Sequence, residues 1–365
     1  RFNRKNEINK RKGLVKLKFE TLILMISFIT AIILGIIIIP ILRKLKVGQI
    51  ERDDGPQSHL KKQGTPTMGG IIMILAMIIV VTGTYIFLIY NNQSDIANKL
   101  LPILLLTIGF GLIGFIDDFK KLVLKNTKGL KPSYKMLGLL IISVAYVIYL
   151  VYGLKIGTET YIPILKQSIT IPIYIYIPFA IIVILATTNA INLTDGIDGL
   201  SSSVSTIIIT CLTVIGMLRG VTEVSVFGSI VIGSVLGFLM FNLHPAKVFM
   251  GDTGSLTLGG IIAVFAIIIR KELLIPILCG IFLVENISVM LQVAYFKYTK
   301  KKYGEGRRIF KMAPLHHHFQ KPGNAGIQAL IQKPFNVVPE SKIVVRFWLI
   351  GIILAVMTIV TLKMR

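Results

Sequence analysis

Residues 21–42, TLILMISFITAIILGIIIIPIL, form an apolar run that contains no charged side chain. A helix that crosses the hydrocarbon core of a bilayer needs about 20 residues of this kind. Similar runs recur along the whole chain. The sequence therefore predicts about ten membrane spans, at residues 20–42, 67–90, 100–116, 136–152, 171–188, 203–218, 224–241, 255–269, 273–296 and 343–362.

Composition agrees with this pattern. The 365-residue chain is 54% hydrophobic and has a mean hydropathy of +0.77. Ten apolar runs leave too little chain for the polar shell of a soluble protein, so the predicted fold class is an all-α polytopic membrane protein. The loop GLKIGTETYIPILKQSITI (153–171) alternates β-branched residues with turn formers, which predicts a small outer β-hairpin.

Charge predicts the orientation in the membrane. The odd-numbered loops carry 23 Lys or Arg residues and the even-numbered loops carry 6. Because positive loops stay in the cytoplasm, the odd loops are expected there, with both termini outside. The net charge of +23 does not indicate nucleic-acid binding, since the basic residues flank spans rather than form one patch. Attraction to membrane lipids explains them better.

The domain organisation is simple. Residues 1–19 are expected to be a basic tail that includes non-native residues, and 20–365 are expected to be one ten-helix membrane domain. Within that domain, 320–339 contains three prolines and is expected to be an insertion-like loop. Cys211 and Cys279 both lie in apolar runs and provide no disulfide framework.

Polar motifs are concentrated in the odd loops, at one membrane face. They are KKQGTPTMGG (61–70), FIDDFKK (115–121), TNAINLTDGIDGLSS (188–202), FNLHPAKVFMGDTGSLTLGG (241–260) and EGRRIFKMAPLHHHF (305–319). Since all five are expected on the same side, they can converge on one site.

Five aspartates make this site acidic. Asp117 and Asp118 stand at the end of a span, and as helix neighbours they point about 100° apart. Asp195 and Asp198 share a face if a helix begins there, and Asp252 precedes a span. Helix capping is the alternative for Asp195 or Asp252, but it explains one aspartate better than five. Carboxylates beside glycine-rich turns favour Mg²⁺ and phosphates.

Basic residues complete this chemistry. The lysines at positions 61, 62, 121 and 135 can neutralise a diphosphate, or can simply flank spans on the positive side of the membrane. Three histidines in a row, His316 to His318, cannot all aim at one ion. They therefore favour contacts with phosphates over metal chelation.

Five motifs in this order, GTPTMGG, DDFKK, NLTDGIDGL, FMGDTGSL and APLHHHF, resemble those of the phospho-N-acetylmuramoyl-pentapeptide-transferase family. This family belongs to the polyprenyl-phosphate N-acetylhexosamine-1-phosphate transferases. The resemblance covers about residues 20–319 and resumes at 340–348. Residues 320–339 are longer than the corresponding link of the family.

The resemblance implies transfer of phospho-MurNAc-pentapeptide from UDP-MurNAc-pentapeptide to undecaprenyl phosphate, giving lipid I and UMP. It also implies a bacterial inner-membrane location, a cytoplasmic active site, Mg²⁺ and a homodimer. Implied catalytic residues are Asp117, Asp118, Asp252 and His317, with Asp252 also the metal ligand. Implied substrate-binding residues are Lys62, Thr67, Lys121, Lys135, Asn192, Asp195, Asp198, Asn242, Phe249, Gln292, His316 and His318.

Two other functions stay open at this point. A transporter would carry ionisable residues at mid-membrane and broken helices in matching halves, whereas the acidic residues here lie at one face. A sister transferase acting on UDP-N-acetylglucosamine shares most of this chemistry. The triple histidine favours the muramoyl-pentapeptide substrate.

Overall fold

The computed structural model describes residues 2–45, 64–122, 129–163, 165, 167–323 and 329–362. Long helices dominate it. They are α1 (Phe2–Lys44), α2 (Gly70–Tyr90), α3 (Ser94–Leu122), α4 (Pro132–Ile148), α5 (Ile173–Thr194), α6 (Leu200–Leu218), α7 (Thr222–Asn242), α8 (Gly251–Ile268), α10 (Gly280–Tyr303) and α12 (Glu340–Thr361). Two short helices, α9 (Ile275–Leu278) and α11 (Leu315–Gln320), lie between them.

In the described part of the chain, ten helices are long and apolar enough to cross a membrane. This confirms the predicted fold class, a multi-pass all-α membrane protein. The ninth predicted span, 273–296, has the wrong bounds. The chain turns at Cys279 after α9, and the long helix α10 runs from Gly280 to Tyr303. Pro276, near the start of α9, and Gly280 interrupt the apolar run that suggested one continuous helix.

The predicted hairpin is also confirmed. Strands β1 (Glu159–Ile162) and β2 (Gln167–Thr170) pair antiparallel between α4 and α5. A second pair of strands was not predicted. Strand β3 (Arg308–Phe310) pairs in parallel with β4 (Ala329–Ile331). Each of these strands has only three residues, which is too short for an alternating pattern to be recognised.

Helix α8 is the centre of the bundle. It packs against α2, α3, α5 and α6, and all of its residues from Thr253 to Ile267 are buried. Glycines permit the closest of these contacts. A Cβ on Gly70 would lie 2.2 Å from the backbone nitrogen of Gly254, and a Cβ on Gly114 would lie 2.3 Å from the carbonyl oxygen of Asp252. The helices α2, α3 and α8 therefore meet backbone to backbone beside Asp252.

The described residues of the segment 321–338 pack against the histidine motif. The buried Lys311 ammonium donates to the carbonyl oxygens of Lys321 and Pro334, at 2.5 Å each. The Val338 N–H donates to the Phe319 carbonyl at 3.0 Å. That 320–339 is an insertion stays a prediction. Its described residues contact the histidine motif and are not a free linker.

Candidate active site

Three carboxylates meet where α3 ends and α8 begins. Asp117 and Asp118 belong to the last turns of α3, and Asp252 belongs to the first turn of α8. One oxygen from each lies within 4.8 Å of the other two. Asp117 is 2% exposed and Asp118 is 4% exposed. Negative charges this close together and this buried require cations or hydrogen-bond donors around them.

Asp118 obtains its donors from the start of α8. Its carboxylate accepts the Asp252 N–H at 3.2 Å, the Thr253 N–H at 2.9 Å and the Thr253 hydroxyl at 2.7 Å. The first N–H groups of a helix have no partner within the helix, and they carry the positive end of its dipole. Asp118 thus caps α8 from a different helix, and it fixes the backbone that carries Asp252.

Two lysines surround Asp252. The Lys121 ammonium lies 3.0 Å from Asp252 Oδ2, and the Lys135 ammonium lies 2.8 Å from the same oxygen. The other oxygen, Oδ1, accepts the Asn192 amide at 2.8 Å. Lys135 also donates to Asn192 Oδ1 at 3.2 Å. The structure therefore brings these four residues, each of which the family resemblance implies for the site, into one cluster.

Asp117 contacts a lysine in its own helix and a backbone N–H group just before α4. Its Oδ2 lies 2.5 Å from the Lys121 ammonium, one helical turn later, and Oδ1 accepts the Leu130 N–H at 2.6 Å. Lys121 therefore bridges Asp117 and Asp252. Its ammonium marks the point between these two carboxylates where positive charge is most favoured.

Asp195 ends α5 rather than beginning a helix, so it does not share a helical face with Asp198. It lies outside the spans, and burial raises its pKa well above the ordinary value. The charges of Asp252 and Asp118 act in the same direction, and a hydrogen bond from the Gly251 backbone opposes them. Asp195 therefore belongs to the same electrostatic environment as the three clustered carboxylates.

The histidines approach the turn that follows Asp195. A Cβ on Gly196 would lie 2.3 Å from His316 Nε2 and 3.0 Å from His317 Nε2, so both rings face this glycine. The His316 and His317 ring centroids are 4.2 Å apart. In the described part of the chain, the buried His316 Nε2 has no hydrogen-bond partner. It is thus a polar atom directed towards the Asp195–Gly196 turn.

Glu285 holds His316 in this orientation. Its carboxylate accepts the His316 N–H at 3.1 Å and lies 3.2 Å from the ring Nδ1. Glu285 is 1% exposed and lies within the span α10. Glu285 was not among the predicted site residues. A signal was available, because a carboxylate inside an apolar span is costly without a task.

The other two histidines have protein partners. His317 Nδ1 lies 2.8 Å from Gln320 Oε1. His318 Nδ1 accepts the Lys311 N–H at 3.1 Å, and its Nε2 lies 2.8 Å from the Lys333 carbonyl. These two contacts fix the tautomer of His318 with the proton on Nε2. Burial lowers the His318 pKa, which favours this neutral form.

Several predicted substrate residues form hydrogen bonds that fix segments near the clustered residues or the histidine motif. Buried Asn242 accepts the Ser202 hydroxyl at 2.6 Å and donates to the Val248 carbonyl at 3.0 Å, which fixes the loop before α8. The Phe249 N–H donates to the Pro66 carbonyl at 2.8 Å, and this contact places Thr67 beside Gly251. Gln292 accepts the N–H groups of Ile309 and Phe310 at 3.0 Å each.

Two predicted substrate-binding residues, Asp198 and Lys62, are not placed in the three-carboxylate cluster. Asp198 is buried, accepts the Ala246 N–H at 3.1 Å and lies 3.1 Å from His244 Nδ1. With His244 and Glu340 it forms a second cluster, separate from the three carboxylates. Lys62 lies outside the described residues. Roles for both in binding substrate stay predictions.

The donor set of the three-carboxylate cluster fits a hard divalent cation. Carboxylate oxygens are the protein ligands that Mg²⁺ takes, and it uses one or two of them together with water and phosphate oxygens. Asp117 and Asp252 both present oxygens to lysine ammonium groups, which are replaceable cations. Asp118 already uses its oxygens on the α8 N-terminus. Asp252 and Asp117 are thus the better candidate ligands.

Comparisons with known proteins agree with this site. A family model described as glycosyl transferase family 4 matches residues 100–270, which include the three carboxylates. The chain is 49% identical to the phospho-N-acetylmuramoyl-pentapeptide-transferase of Parabacteroides distasonis, over 94% of this chain and 93% of the relative. It is 41% identical to the enzyme of the same name from Porphyromonas gingivalis, again over 94% and 93%. The enzyme of that name from Clostridium botulinum is 46% identical over 82% of this chain and 87% of the relative. With carboxylates and histidines in the order of the family motifs, and with identity at this level along most of its length, the chain belongs to the phospho-N-acetylmuramoyl-pentapeptide-transferase family.

Proposed function

We propose that this protein transfers phospho-MurNAc-pentapeptide from UDP-MurNAc-pentapeptide to undecaprenyl phosphate, producing lipid I and UMP. The observation that carries the proposal is the convergence of Asp117, Asp252, Lys121 and Lys135 at the membrane face where a lipid phosphate and a soluble nucleotide can meet. The names of the relatives support the muramoyl-pentapeptide as the transferred group.

We propose that the site binds Mg²⁺ and that Asp252 and Asp117 are the ligands of this ion. When bound, the ion would neutralise charge on the diphosphate of the nucleotide. Asp118 holds Asp252 in place through the α8 N-terminus and does not need to touch the ion. Asn192 keeps Asp252 in one rotamer through its amide, and it is itself held by Ser255 at 2.8 Å.

The lysines supply charge to the phosphates. Lys121 and Lys135 carry two ammonium groups within 3.0 Å of one oxygen of Asp252. Entry of a diphosphate provides these groups with stronger anionic partners, because phosphate oxygens accept charge-assisted hydrogen bonds. Each lysine can then contact both the carboxylate and the substrate. Positioning of this kind contributes most of the catalysis in phosphoryl transfer.

The chemical step is a direct displacement. An oxygen of the lipid phosphate attacks the β-phosphorus of the nucleotide, which carries the sugar. The bond from that phosphorus to the bridging oxygen breaks, and UMP leaves with that oxygen. A phosphate monoester has a second pKa of about 6, so the attacking group is mostly dianionic at neutral pH and needs little general-base help. Asp117 orients this oxygen or takes a residual proton.

The histidines and the nearby cavity serve binding. His316 and His317 face the Asp195–Gly196 turn and would contact the nucleotide sugar on that side. A cavity of about 670 Å³ lies between α10 and the histidine motif. It has an apolar wall that includes Val293 and Phe296, and it also has basic residues, Arg308 and Lys311 among them. This combination suits a lipid chain that carries a phosphate.

The location follows from the substrates. A soluble nucleotide places the active face in the cytoplasm of a bacterial cell, with the helices in the inner membrane. The excess of Lys and Arg in the loops of this face supports that orientation. Both termini would lie outside the cytoplasm. We propose a homodimer as well, on the family resemblance alone.

Two labelled nucleotides test the proposal. Purified protein, undecaprenyl phosphate and Mg²⁺ are incubated with UDP-MurNAc-pentapeptide or with UDP-N-acetylglucosamine, and labelled lipid is extracted. We expect lipid product and equimolar UMP with the first nucleotide only. Product with UDP-N-acetylglucosamine alone would assign the sister activity. Uptake into vesicles without any lipid product would indicate a transporter.

A further inference from the structure

The face opposite the carboxylate cluster contains a basic cavity. It has a volume of about 280 Å³ and lies where α6 and α8 end and where α7 begins. Arg219, Arg270 and Lys271 all line it. The even-numbered loops contain only six basic residues, and half of them line this one cavity. Positive charge is scarce on this face, so its concentration at one place indicates a specific use.

Lys271 is the most constrained of the three. The residue is 3% exposed, and its ammonium lies 3.2 Å from the centroid of the Tyr161 ring. Within the described residues, no carboxylate lies within ion-pair distance of this ammonium. The neighbouring Glu272 already accepts the Tyr176 hydroxyl at 2.7 Å and the Thr160 hydroxyl at 2.9 Å. A cation–π contact compensates only part of the cost of burying a charge.

Arg219 adds a second uncompensated charge. It ends α6, is exposed, and forms no ion pair with any described residue. Other charges at the cavity are paired. Arg270 lies 3.3 Å from Glu159, and Glu223 lies 3.8 Å from Lys99. The cavity therefore has an excess of basic over acidic groups, with Lys271 and Arg219 lacking a carboxylate partner among the described residues, and an anion with two oxygens could contact both.

The low proton affinity of Lys271 is consistent with this excess. Burial, and then the charge of Arg219, lowers its pKa to about 8. An anion in the cavity would offset both effects, because its negative charge would stabilise the protonated ammonium. The volume is also adequate, since a water molecule occupies about 30 Å³ of liquid and a phosphate group needs the space of only a few waters.

We propose that this cavity binds a phosphate group between Lys271 and Arg219. The group belongs either to an anionic phospholipid or to free inorganic phosphate. The position at the ends of three spans favours the lipid, because head-group phosphates lie at this depth. Lys271 and Arg219 would each donate a charge-assisted hydrogen bond to the phosphate oxygens. The proposed transfer reaction makes no use of this cavity.

The test compares three variants of the full chain with the native protein in a zwitterionic detergent. Lys271→Met and Arg219→Gln each remove one charge from the cavity. Lys155→Met removes an exposed charge from the same face but outside the cavity, and it serves as the matched control. Native mass spectrometry measures binding of phosphatidylglycerol and phosphatidylcholine. Thermal unfolding measures stabilisation by inorganic phosphate against chloride at equal ionic strength.

We expect phosphatidylglycerol to bind about tenfold more weakly to Lys271→Met and to Arg219→Gln than to the native protein. Lys155→Met should bind phosphatidylglycerol as tightly as the native protein does. Phosphatidylcholine should bind equally to all four proteins. If inorganic phosphate stabilises the native protein but neither cavity variant, and lipid binding is unchanged, the ligand is free phosphate. Equal response of native protein and Arg219→Gln to both anions would overturn the proposal, even if Lys271→Met does not fold.

Discussion

The carboxylate of Asp118 accepts the backbone N–H of Asp252 at 3.2 Å, so the α3 residue holds the first turn of the helix that carries the candidate metal ligand. With the two contacts to Thr253, Asp118 satisfies three donors at the α8 N-terminus. Two neighbouring aspartates thus have different tasks. Asp117 faces the lysines and the substrate, whereas Asp118 supports the backbone beneath Asp252.

Replacing Asp118 by Asn should reduce both stability and activity. The amide keeps one acceptor but loses the charge that the helix N-terminus stabilises, and a hydrogen bond to a charged group contributes about 1.5–3 kcal/mol. We expect a lower melting temperature and a strongly reduced kcat. Asp95→Asn, at an exposed position in the first turn of α3, is the control and should change neither. Native-like melting and turnover of Asp118→Asn would show that α8 does not need this cap.

Asp252→Ala should abolish turnover at every Mg²⁺ concentration while the protein remains folded. The two lysines and Asn192 would lose their shared carboxylate, and no other described carboxylate bonds to both lysine ammonium groups as closely. The measurement is activity across a wide range of Mg²⁺, with melting temperature as the folding check. Recovery of activity at high Mg²⁺ would instead mean that Asp117 binds the ion adequately by itself.

Glu285 should act through His316. In Glu285→Gln the side-chain oxygen still accepts the Nδ1 proton, whereas in Glu285→Leu it cannot. We therefore expect graded losses in kcat/KM, about tenfold for Gln and larger for Leu. The melting temperature of the Gln variant should fall proportionally less than its kcat/KM, because its size and one acceptor are preserved. Glu305→Gln, an exposed carboxylate between α10 and β3, is the control. Parallel losses of stability and activity in the Gln variant would indicate a purely structural role.

A burst experiment distinguishes the direct displacement from a two-step route. Enzyme stripped of lipid is mixed with UDP-MurNAc-pentapeptide and Mg²⁺ in the absence of undecaprenyl phosphate. Direct attack predicts no UMP, because the attacking group is missing. In the covalent alternative, Asp117 would attack first and release one UMP per enzyme. A stoichiometric burst that disappears in Asp117→Asn would therefore reject the direct step.

Lys271 should make stability depend on pH. Its pKa is about 8 in the folded protein, against 10.5 as the ordinary value. Between these two values the unfolded chain holds a proton that the folded chain has released, so stability rises as pH rises. In phosphate-free zwitterionic detergent, the melting temperature of native protein minus that of Lys271→Met should increase from pH 8 to pH 10.5. A constant difference would mean that Lys271 is not buried as a cation.

The spans and the location of the site could be predicted from sequence because both depend on local patterns. Apolar runs of membrane length identify the helices, and charged motifs at alternate ends of these helices must share one face. The break at Cys279 was missed because Ile and Leu occur on both sides of it. Hydropathy does not detect a turn whose residues are themselves apolar.

The partners within the site could not be predicted, because they come from residues far apart in the chain. Asp118 and Thr253 are separated by 135 positions, and Glu285 and His316 by 31. Asp117 and Asp118 are adjacent on a helix and point in different directions, which suggested that they have different tasks. Which aspartate would cap α8 depended on how α3 packs against that helix, and no local pattern encodes this packing.

The glycine contacts at Gly70 and Gly114 have a consequence for the energetics of turnover. With three backbones in contact beside Asp252, the peptide groups around this residue cannot shift without separating whole helices, and Lys121, Lys135 and Asn192 hold its carboxylate oxygens. Their dipoles and charges are therefore oriented before any nucleotide arrives, and little reorganisation energy is required when charge redistributes in the transition state.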